Sequence, residues 1–237
     1  MQVKALKAKN ISTEKVESVD NTVNLVMVLD ETGSMEMIKK ATIDSVNEFI
    51  SSQKKVEGSC NLTLYTFSDI SNFFNSSDKN ELPIRKIVDT KDISEVELLT
   101  HDSYDPHGMT NLYDAVGFAI KETSKRVETG NVLVVIITDG DENSSKEFNE
   151  SSVRNMIEEK QAAGWTFVYL GANQDAWSVG SKMGLSSSQT MTYDVGDMKG
   201  MMNNLSASTA VYRSVATASS RGVGDYKNFF GNEDNEK

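Results

Sequence analysis

The sequence contains very little cysteine and proline. A single cysteine, Cys60, among 237 residues excludes an internal disulfide framework and is typical of a reducing compartment. Two prolines argue against a chain of linker-separated modules, and 38% hydrophobic residues are enough for one sizeable core. We therefore predict one domain at residues 22–230, preceded by a tail or edge segment at 1–21 and followed by an acidic tail at 231–237.

Basic charge and long apolar runs are scarce as well. The formal net charge of -11 disfavours nucleic acid and anionic membranes as partners, because both attract a basic surface. No apolar stretch is long enough to span a bilayer, and residues 1–18 lack the apolar centre of a signal peptide. We therefore expect a cytoplasmic protein without a membrane or nucleic-acid partner.

What the sequence does contain is an alternation of strand and helix patterns. Strand patterns occur at about residues 23–29, 61–67, 84–88, 131–138, 165–170 and 190–193. Helical patterns occur at about residues 35–52, 111–128, 149–163 and 195–219, with a short one before Gly184. This order predicts an α/β fold, a doubly wound and mostly parallel central sheet with helices on both faces. Phe73-Phe74 and the strand pattern at 84–88 suggest an antiparallel arm at the sheet edge.

An oxygen-rich loop follows the first of these strands. Asp30, Thr32 and Ser34 stand at alternate positions, and Gly33 allows the backbone to turn between the last two. One carboxylate and two hydroxyls converging on one point would suit a hard cation such as Mg²⁺. The same residues could instead form a simple turn in which Ser34 caps the following helix.

Two later segments place oxygen ligands at comparable positions. Thr110 stands just before a helical pattern, and Asp139 follows a buried strand that ends at Thr138. Open α/β sheets place their binding sites in loops next to such element ends. Together with the first loop, these residues favour the metal-site interpretation over the simple turn.

The three segments resemble the metal-ion-dependent adhesion site, or MIDAS, of von Willebrand factor type A (vWA) domains. They read Asp30-Glu31-Thr32-Gly33-Ser34, Gly108-Met109-Thr110 and Thr138-Asp139-Gly140. The first has Thr at the position where the family usually has Ser, which retains the hydroxyl. The resemblance covers about residues 22–222 and implies a Rossmann-like sheet with a metal at its C-terminal edge. The ligand positions that it implies are Asp30, Thr32, Ser34, Thr110 and Asp139, and the implied ion is Mg²⁺, with Mn²⁺ or Ca²⁺ as alternatives.

Four further residues could contact a ligand at this edge. Glu31 and Asp141 could tune the site and His107 could touch a bound partner, although exposed loop side chains are usually only solvated. Asn173 lies in a Gly-Ala-Asn-Gln-Asp-Ala stretch that is similar to one in stand-alone intracellular vWA proteins of bacteria and phages. A helix-capping role for Asn173 is the structural alternative.

The resemblance implies a non-enzymatic module that captures an Asp or Glu side chain of a partner protein through the ion. In similar intracellular proteins the partner is often an AAA-type ATPase or a stress-response or phage-defence component. One alternative is a Mg²⁺-dependent phosphohydrolase or nucleotide-processing enzyme, although the sequence has no Gly-rich phosphate loop with Lys. A second alternative is a structural oligomer that associates through the Met-rich C-terminal helix, whose stripe we expect to be core packing.

Overall fold

The computed structural model describes residues 21–69, 83–128, 130–172, 176–218 and 228–231. Several predicted features lie outside these ranges. They are most of the N-terminal segment, Phe73 and Phe74, Asn173, and the acidic tail from residue 232.

Six strands form one sheet in the described part of the chain. They are β1 (Val23–Asp30), β2 (Cys60–Phe67), β3 (Ile84–Asp92), β4 (Val132–Thr138), β5 (Thr166–Ala172) and β6 (Thr190–Tyr193). Their order is β3-β2-β1-β4-β5-β6, and only the β2–β3 pair is antiparallel. The predicted mostly parallel sheet with an antiparallel edge strand is therefore confirmed. Strand order reverses between β1 and β4, where doubly wound sheets open a crevice at their carboxyl ends.

Helices cover both faces of this sheet. They are α1 (Lys39–Gln53), α2 (Leu112–Ser124), α3 (Glu150–Ala162), α4 (Ala176–Lys182) and α5 (Met198–Ala218). Helices α1 and α5 pack on one face, whereas α2, α3 and α4 pack on the other. Strand β1 is apolar from Leu25 to Leu29 because both of its faces are covered. Leu25, Met27 and Leu29 face α1 and α5, while Val26 and Val28 face α2.

Strand β2 is more buried than its alternating sequence predicts. A half-buried strand was expected, but Thr63 and Thr66 are buried along with the apolar residues between and around them. Strand β3 pairs with β2, so β2 is an interior strand of the sheet. Both faces of β2 are also covered, because Leu64 packs towards α1 and α5 and Tyr65 packs towards α2. Burial here depends on neighbouring elements that the local sequence pattern does not report.

Helix α5 uses its Met-rich stripe for core packing, as expected from the sequence. The buried members are Met198, Met202, Leu205, Thr209 and Tyr212. Arg213, also buried, donates hydrogen bonds to the carbonyl oxygens of Gln53, Val56 and Gly58 and so fastens α5 to the end of α1. None of the helices in the described ranges combines the length and the apolar character that crossing a bilayer requires.

Candidate metal centre

The candidate site lies at the carboxyl edge of the sheet, where β1 and β4 end side by side. Asp30 is the last residue of β1, and Asp139 directly follows β4. The chain does not enter an α-helix immediately after the first loop, because a 3₁₀ turn at Gly33–Ile38 comes first. Helix α1 therefore begins later than predicted, and Ser34 does not cap it.

Asp30 forms the buried floor of the site. Its Oδ1 accepts a 2.7 Å hydrogen bond from the Thr32 amide, and its Oδ2 accepts a 2.5 Å hydrogen bond from Thr138 Oγ1. Burial raises the pKa of Asp30 from its ordinary value of 3.8 to about 6, the hydrogen bonds from Thr138 and Thr32 lower it, and the charge of Asp139 raises it further. No described Lys or Arg is paired with this carboxylate. A cation would stabilise its ionised form.

Ser34 joins the first loop to the end of β4. Its hydroxyl donates a 2.6 Å hydrogen bond to Asp139 Oδ1 and lies 3.1 Å from Thr32 Oγ1. Burial raises the pKa of Asp139, while the hydrogen bond from Ser34 lowers it. Thr32 is buried and Ser34 is exposed, so the oxygen cluster has a closed floor and an open rim.

Gly140 shows how closely Thr110 approaches the same cluster. A Cβ atom added at Gly140 would stand 2.9 Å from Thr110 Oγ1 and 3.7 Å from Ser34 Oγ. Both hydroxyls therefore border one small space that the missing side chain leaves open. The structure brings together all five residues that the sequence singles out: Asp30, Thr32, Ser34, Thr110 and Asp139.

Hydrogen bonds join the loops that carry these residues. The Gly33 amide donates to the Gly108 carbonyl at 3.2 Å, which links the first loop to the threonine loop. The φ of Gly108 is +77°, a conformation that favours glycine. Thr110 donates its amide to Asn143 Oδ1 at 2.9 Å, and Asn143 returns a 2.9 Å hydrogen bond to the Thr110 carbonyl.

Glu31 links the first loop of the site to β3 and to the loop around Asp105. Its carboxylate is 1% exposed, forms an ion pair with Arg85 of β3 and accepts a 2.5 Å hydrogen bond from the Asp105 amide. Asp105 in turn pairs with Lys39 at 2.9 Å. The Glu31 side chain is thus engaged with the 103–105 loop and the sheet edge. His107 and Asp141 are exposed at the rim, and Asn173 lies outside the described residues.

Two supporting residues escaped the sequence analysis. The buried Tyr104 donates its hydroxyl to the Asp30 carbonyl at 2.7 Å, and an isolated aromatic residue in a polar loop was the available signal. Asn143 carries no comparable signal, because its contact with Thr110 depends on how two distant loops meet. Glu142, in the loop after β4, accepts hydrogen bonds from the Tyr113, Ser144 and Ser145 amides.

The donor set fits a hard divalent cation. Two carboxylates supply two negative charges, three hydroxyls supply neutral oxygens, and hard cations prefer oxygen ligands. The described residues contain no cluster of three or more His, Cys, Asp and Glu side chains that could hold a metal. A zinc site built from Cys and His is therefore not the arrangement present at this edge. Asp30 and Asp139 would hold an ion by charge, with Thr32, Ser34 and Thr110 offering hydroxyl ligands.

The fold and this oxygen cluster define an α/β protein with a candidate cation site at the switch point of its sheet. The chain belongs to the von Willebrand factor type A domain family, whose match covers residues 24–207. A comparison with curated protein sequences finds no match.

Solved structures with the same fold include a thread matrix protein and a pilus adhesin. Proximal thread matrix protein 1 from the mussel byssus is 16% identical with a TM-score of 0.55, over 83% of this chain and 48% of that one. Its form with a zinc-occupied MIDAS motif is 11% identical with a TM-score of 0.55, over 77% and 46% of the two chains. The pilus adhesin SpaC from Lactobacillus rhamnosus GG, in its open conformation, is 14% identical with a TM-score of 0.58, over 80% and 30%. At these sequence identities the similarity shows a shared fold. The chain spans less than half of the length of each of these neighbours.

Proposed function

We propose that this protein is a metal-dependent binding module that holds Mg²⁺ at the oxygen cluster and captures an acidic side chain of a partner protein. The observation that carries the proposal is the convergence of Asp30, Ser34 and Asp139 from two chain segments on one open-rimmed site. Burial raises the pKa of both carboxyls, which a bound cation would offset. The vWA family membership and the zinc-occupied MIDAS of the mussel neighbour support the same assignment.

The proposed ion would remain electrophilic because most of its protein ligands are neutral. Asp30 already accepts hydrogen bonds from Thr32 and Thr138, which spreads part of its charge over those groups. When bound, the ion supplies a positive centre for an anionic ligand at the open side of the site. The exposed Ser34 marks that side, so we place the incoming Asp or Glu carboxylate there.

The surroundings favour a protein ligand over a small one. Met37 is 95% exposed only three residues after Ser34, in the same 3₁₀ turn. Trp177 is 48% exposed near the start of α4, which follows β5 at the same edge of the sheet. Large apolar side chains of this kind commonly anchor protein–protein interfaces. We therefore propose that Met37 and Trp177 contact a protein partner while the ion holds its acidic side chain.

A phosphate substrate finds less support at this edge, and we propose that the protein is not an enzyme. Arg85 is paired with Glu31, Lys39 with Asp105, and Lys146 with Asp69. Phosphoryl transfer depends on cationic groups that hold the substrate phosphates, and these three are engaged with carboxylates instead. The partner classes suggested by the resemblance, an AAA-type ATPase or a stress-response or phage-defence component in the cytoplasm, remain part of the proposal.

Metal binding is tested with purified protein by calorimetric titration of Mg²⁺ and by thermal unfolding in Mg²⁺ and in EDTA. Wild type should bind Mg²⁺ and unfold at a higher temperature in its presence, and Asp30→Ala should lose both effects. Asp44→Ala is the matched control, because Asp44 is an exposed acid on α1 that pairs with the exposed Lys40. Equal Mg²⁺ binding by wild type and Asp30→Ala would contradict the assigned site.

Partner capture is tested by a pull-down from the native host with wild type and Asp30→Ala, in Mg²⁺ and in chelator. The proposal expects a partner retained by wild type in Mg²⁺ alone, and the same prey in all four conditions would argue against a metal bridge. A turnover screen with phosphate esters addresses the enzyme alternative. Metal-dependent product release that disappears in Asp30→Ala would replace the binding-module proposal with a phosphohydrolase.

A further inference from the structure

Tyr193 is a buried tyrosine whose hydroxyl has no hydrogen-bond partner among the residues that the structure describes. It is the last residue of β6 and is only 6% exposed. No donor or acceptor in the described part of the chain lies within hydrogen-bonding distance of its hydroxyl oxygen. Leaving a buried polar group unsatisfied costs about 1–3 kcal/mol, so such a hydroxyl normally indicates a water or a ligand.

The sheet register puts Tyr193 in the same row as Asp139 of the candidate metal centre. Thr138, Gly171 and Thr192 are aligned across β4, β5 and β6, and the next positions along these strands are Asp139, Ala172 and Tyr193. Ala172 and Tyr193 belong to the apolar cluster on the α1 and α5 face. The residue between Tyr193 and Asp139 in this row is thus an alanine, whose side chain is a single methyl group.

The charges of the same carboxylates act on this hydroxyl. Burial raises the pKa of Tyr193, and the negative charges of Asp139 and then Asp30 raise it further. The hydroxyl makes no hydrogen bond to either carboxylate. It is therefore available as a donor to a molecule held beside them.

We propose that Tyr193 is a positioning residue of the metal centre, whose hydroxyl donates a hydrogen bond to a water molecule that coordinates the ion. This inference rests on the proposed function, because it requires an ion at the oxygen cluster. A donor on β6 would orient the coordinated water and so support the ion indirectly. Groups of this kind around the direct ligands usually affect metal affinity without touching the metal.

The test is Tyr193→Phe, which keeps the ring and removes only the hydroxyl. In Mg²⁺ titrations its affinity should fall about fivefold, equivalent to one hydrogen bond of about 1 kcal/mol. In EDTA its unfolding temperature should equal or exceed that of wild type, because the variant removes an unsatisfied buried group. Tyr212→Phe is the matched control, since the buried Tyr212 hydroxyl donates to the Val132 carbonyl at 3.2 Å, away from the carboxyl edge. That control should lose stability equally in Mg²⁺ and EDTA and keep the wild-type metal affinity.

The outcomes separate this inference from the proposed function. Wild-type Mg²⁺ affinity in Tyr193→Phe, or an equal loss of stability in Mg²⁺ and EDTA, would overturn the role of Tyr193 while leaving the metal site intact. Absence of Mg²⁺ binding by wild type itself would overturn both proposals. A fivefold loss of affinity with unchanged stability in EDTA is the result that a purely structural tyrosine could not give.

Discussion

Ser34 Oγ donates a 2.6 Å hydrogen bond to Asp139 Oδ1 although the two residues are 105 positions apart in the chain. The contact exists because β1 and β4 are parallel neighbours in the sheet, so their carboxyl ends and the loops beyond them meet. It brings a hydroxyl from one segment to a carboxylate from another at the point where the sheet order reverses.

Gly140→Ala should weaken Mg²⁺ binding by at least about tenfold. The new methyl group would stand 2.9 Å from Thr110 Oγ1, which is too close for an undisturbed hydroxyl, and it would occupy the space between Thr110 and Ser34. Calorimetric titration measures the effect. Gly33→Ala is the control in the same site, because its methyl group would meet the Gly108 carbonyl oxygen at 3.5 Å and the Gly108 nitrogen at 4.0 Å, both ordinary contact distances. Equal affinity in both variants would show that the space beside Thr110 does not hold the ion.

Stabilisation by Mg²⁺ should increase as the pH rises from about 5 to about 7. The pKa of Asp30 is raised from 3.8 to about 6 in the folded protein, so folded chains keep a proton that unfolded chains release in this range. Without metal, the contribution of this carboxyl to stability is therefore complete below about pH 4 and is lost as the pH rises through about 6. Mg²⁺ binds the ionised carboxylate and competes with that proton.

This pH dependence is measured as the difference in unfolding temperature with and without Mg²⁺ across the range. In Asp30→Asn the difference should be small at every pH, because the group can no longer ionise. A wild-type difference that is large and constant from about pH 5 to about pH 8 would contradict the role of Asp30.

Arg85→Leu should destabilise the protein by about 2 kcal/mol, because it leaves the buried Glu31 carboxylate without its cation. The double variant Glu31→Gln with Arg85→Leu should recover part of this loss, since it removes the unpaired charge. Urea unfolding measures both changes. Lys40→Ala breaks the exposed Lys40–Asp44 pair and should change stability by no more than about 0.5 kcal/mol. A similarly small effect of Arg85→Leu would mean that water or another group replaces the guanidinium.

Met37→Ser should lower partner affinity about tenfold while Mg²⁺ affinity stays at the wild-type value. Met37 is 95% exposed, so its replacement removes contact area without disturbing the core. Binding to the captured partner is compared with that of Val211→Ser, a 61% exposed control on α5. If Met37→Ser binds the partner as well as wild type does, the interface does not extend over the 3₁₀ turn.

Most of the fold could be predicted because buried parallel strands are continuous apolar runs. Strand β4, whose seven residues are all buried, and strand β1 are such runs. The helix predicted at about 149–163 corresponds to α3 (Glu150–Ala162), and Gly164, whose φ is +95°, follows shortly after its end. The late start of α1 was missed because nothing in the local sequence distinguishes a 3₁₀ turn from the first turn of an α-helix. The burial of Thr63 depends on the strands and helices around β2, which no local pattern reports.

The candidate ligand positions could be predicted because each stands at the end of an element and belongs to a short ordered motif. The residues that hold these positions in place could not be predicted. Glu31 and Arg85 are 54 positions apart, and Tyr104 lies 74 positions after the carbonyl that it contacts. Such pairs form only when the register of the sheet and the course of the loops are fixed. Tyr193 illustrates the same limit, since its place in the same row as Asp139 follows from alignment across three strands.

The three loops are linked by hydrogen bonds of their own, from Gly33 to Gly108, from Thr110 to Asn143 and from Ser34 to Asp139. None of these hydrogen bonds requires a bound ion, so folding alone arranges the candidate ligand residues. Binding of a cation should then need little movement of the chain, and chain motion should contribute little to the binding rate. For the proposed Mg²⁺, an ion that dehydrates reluctantly, the slow step would then be the departure of its water.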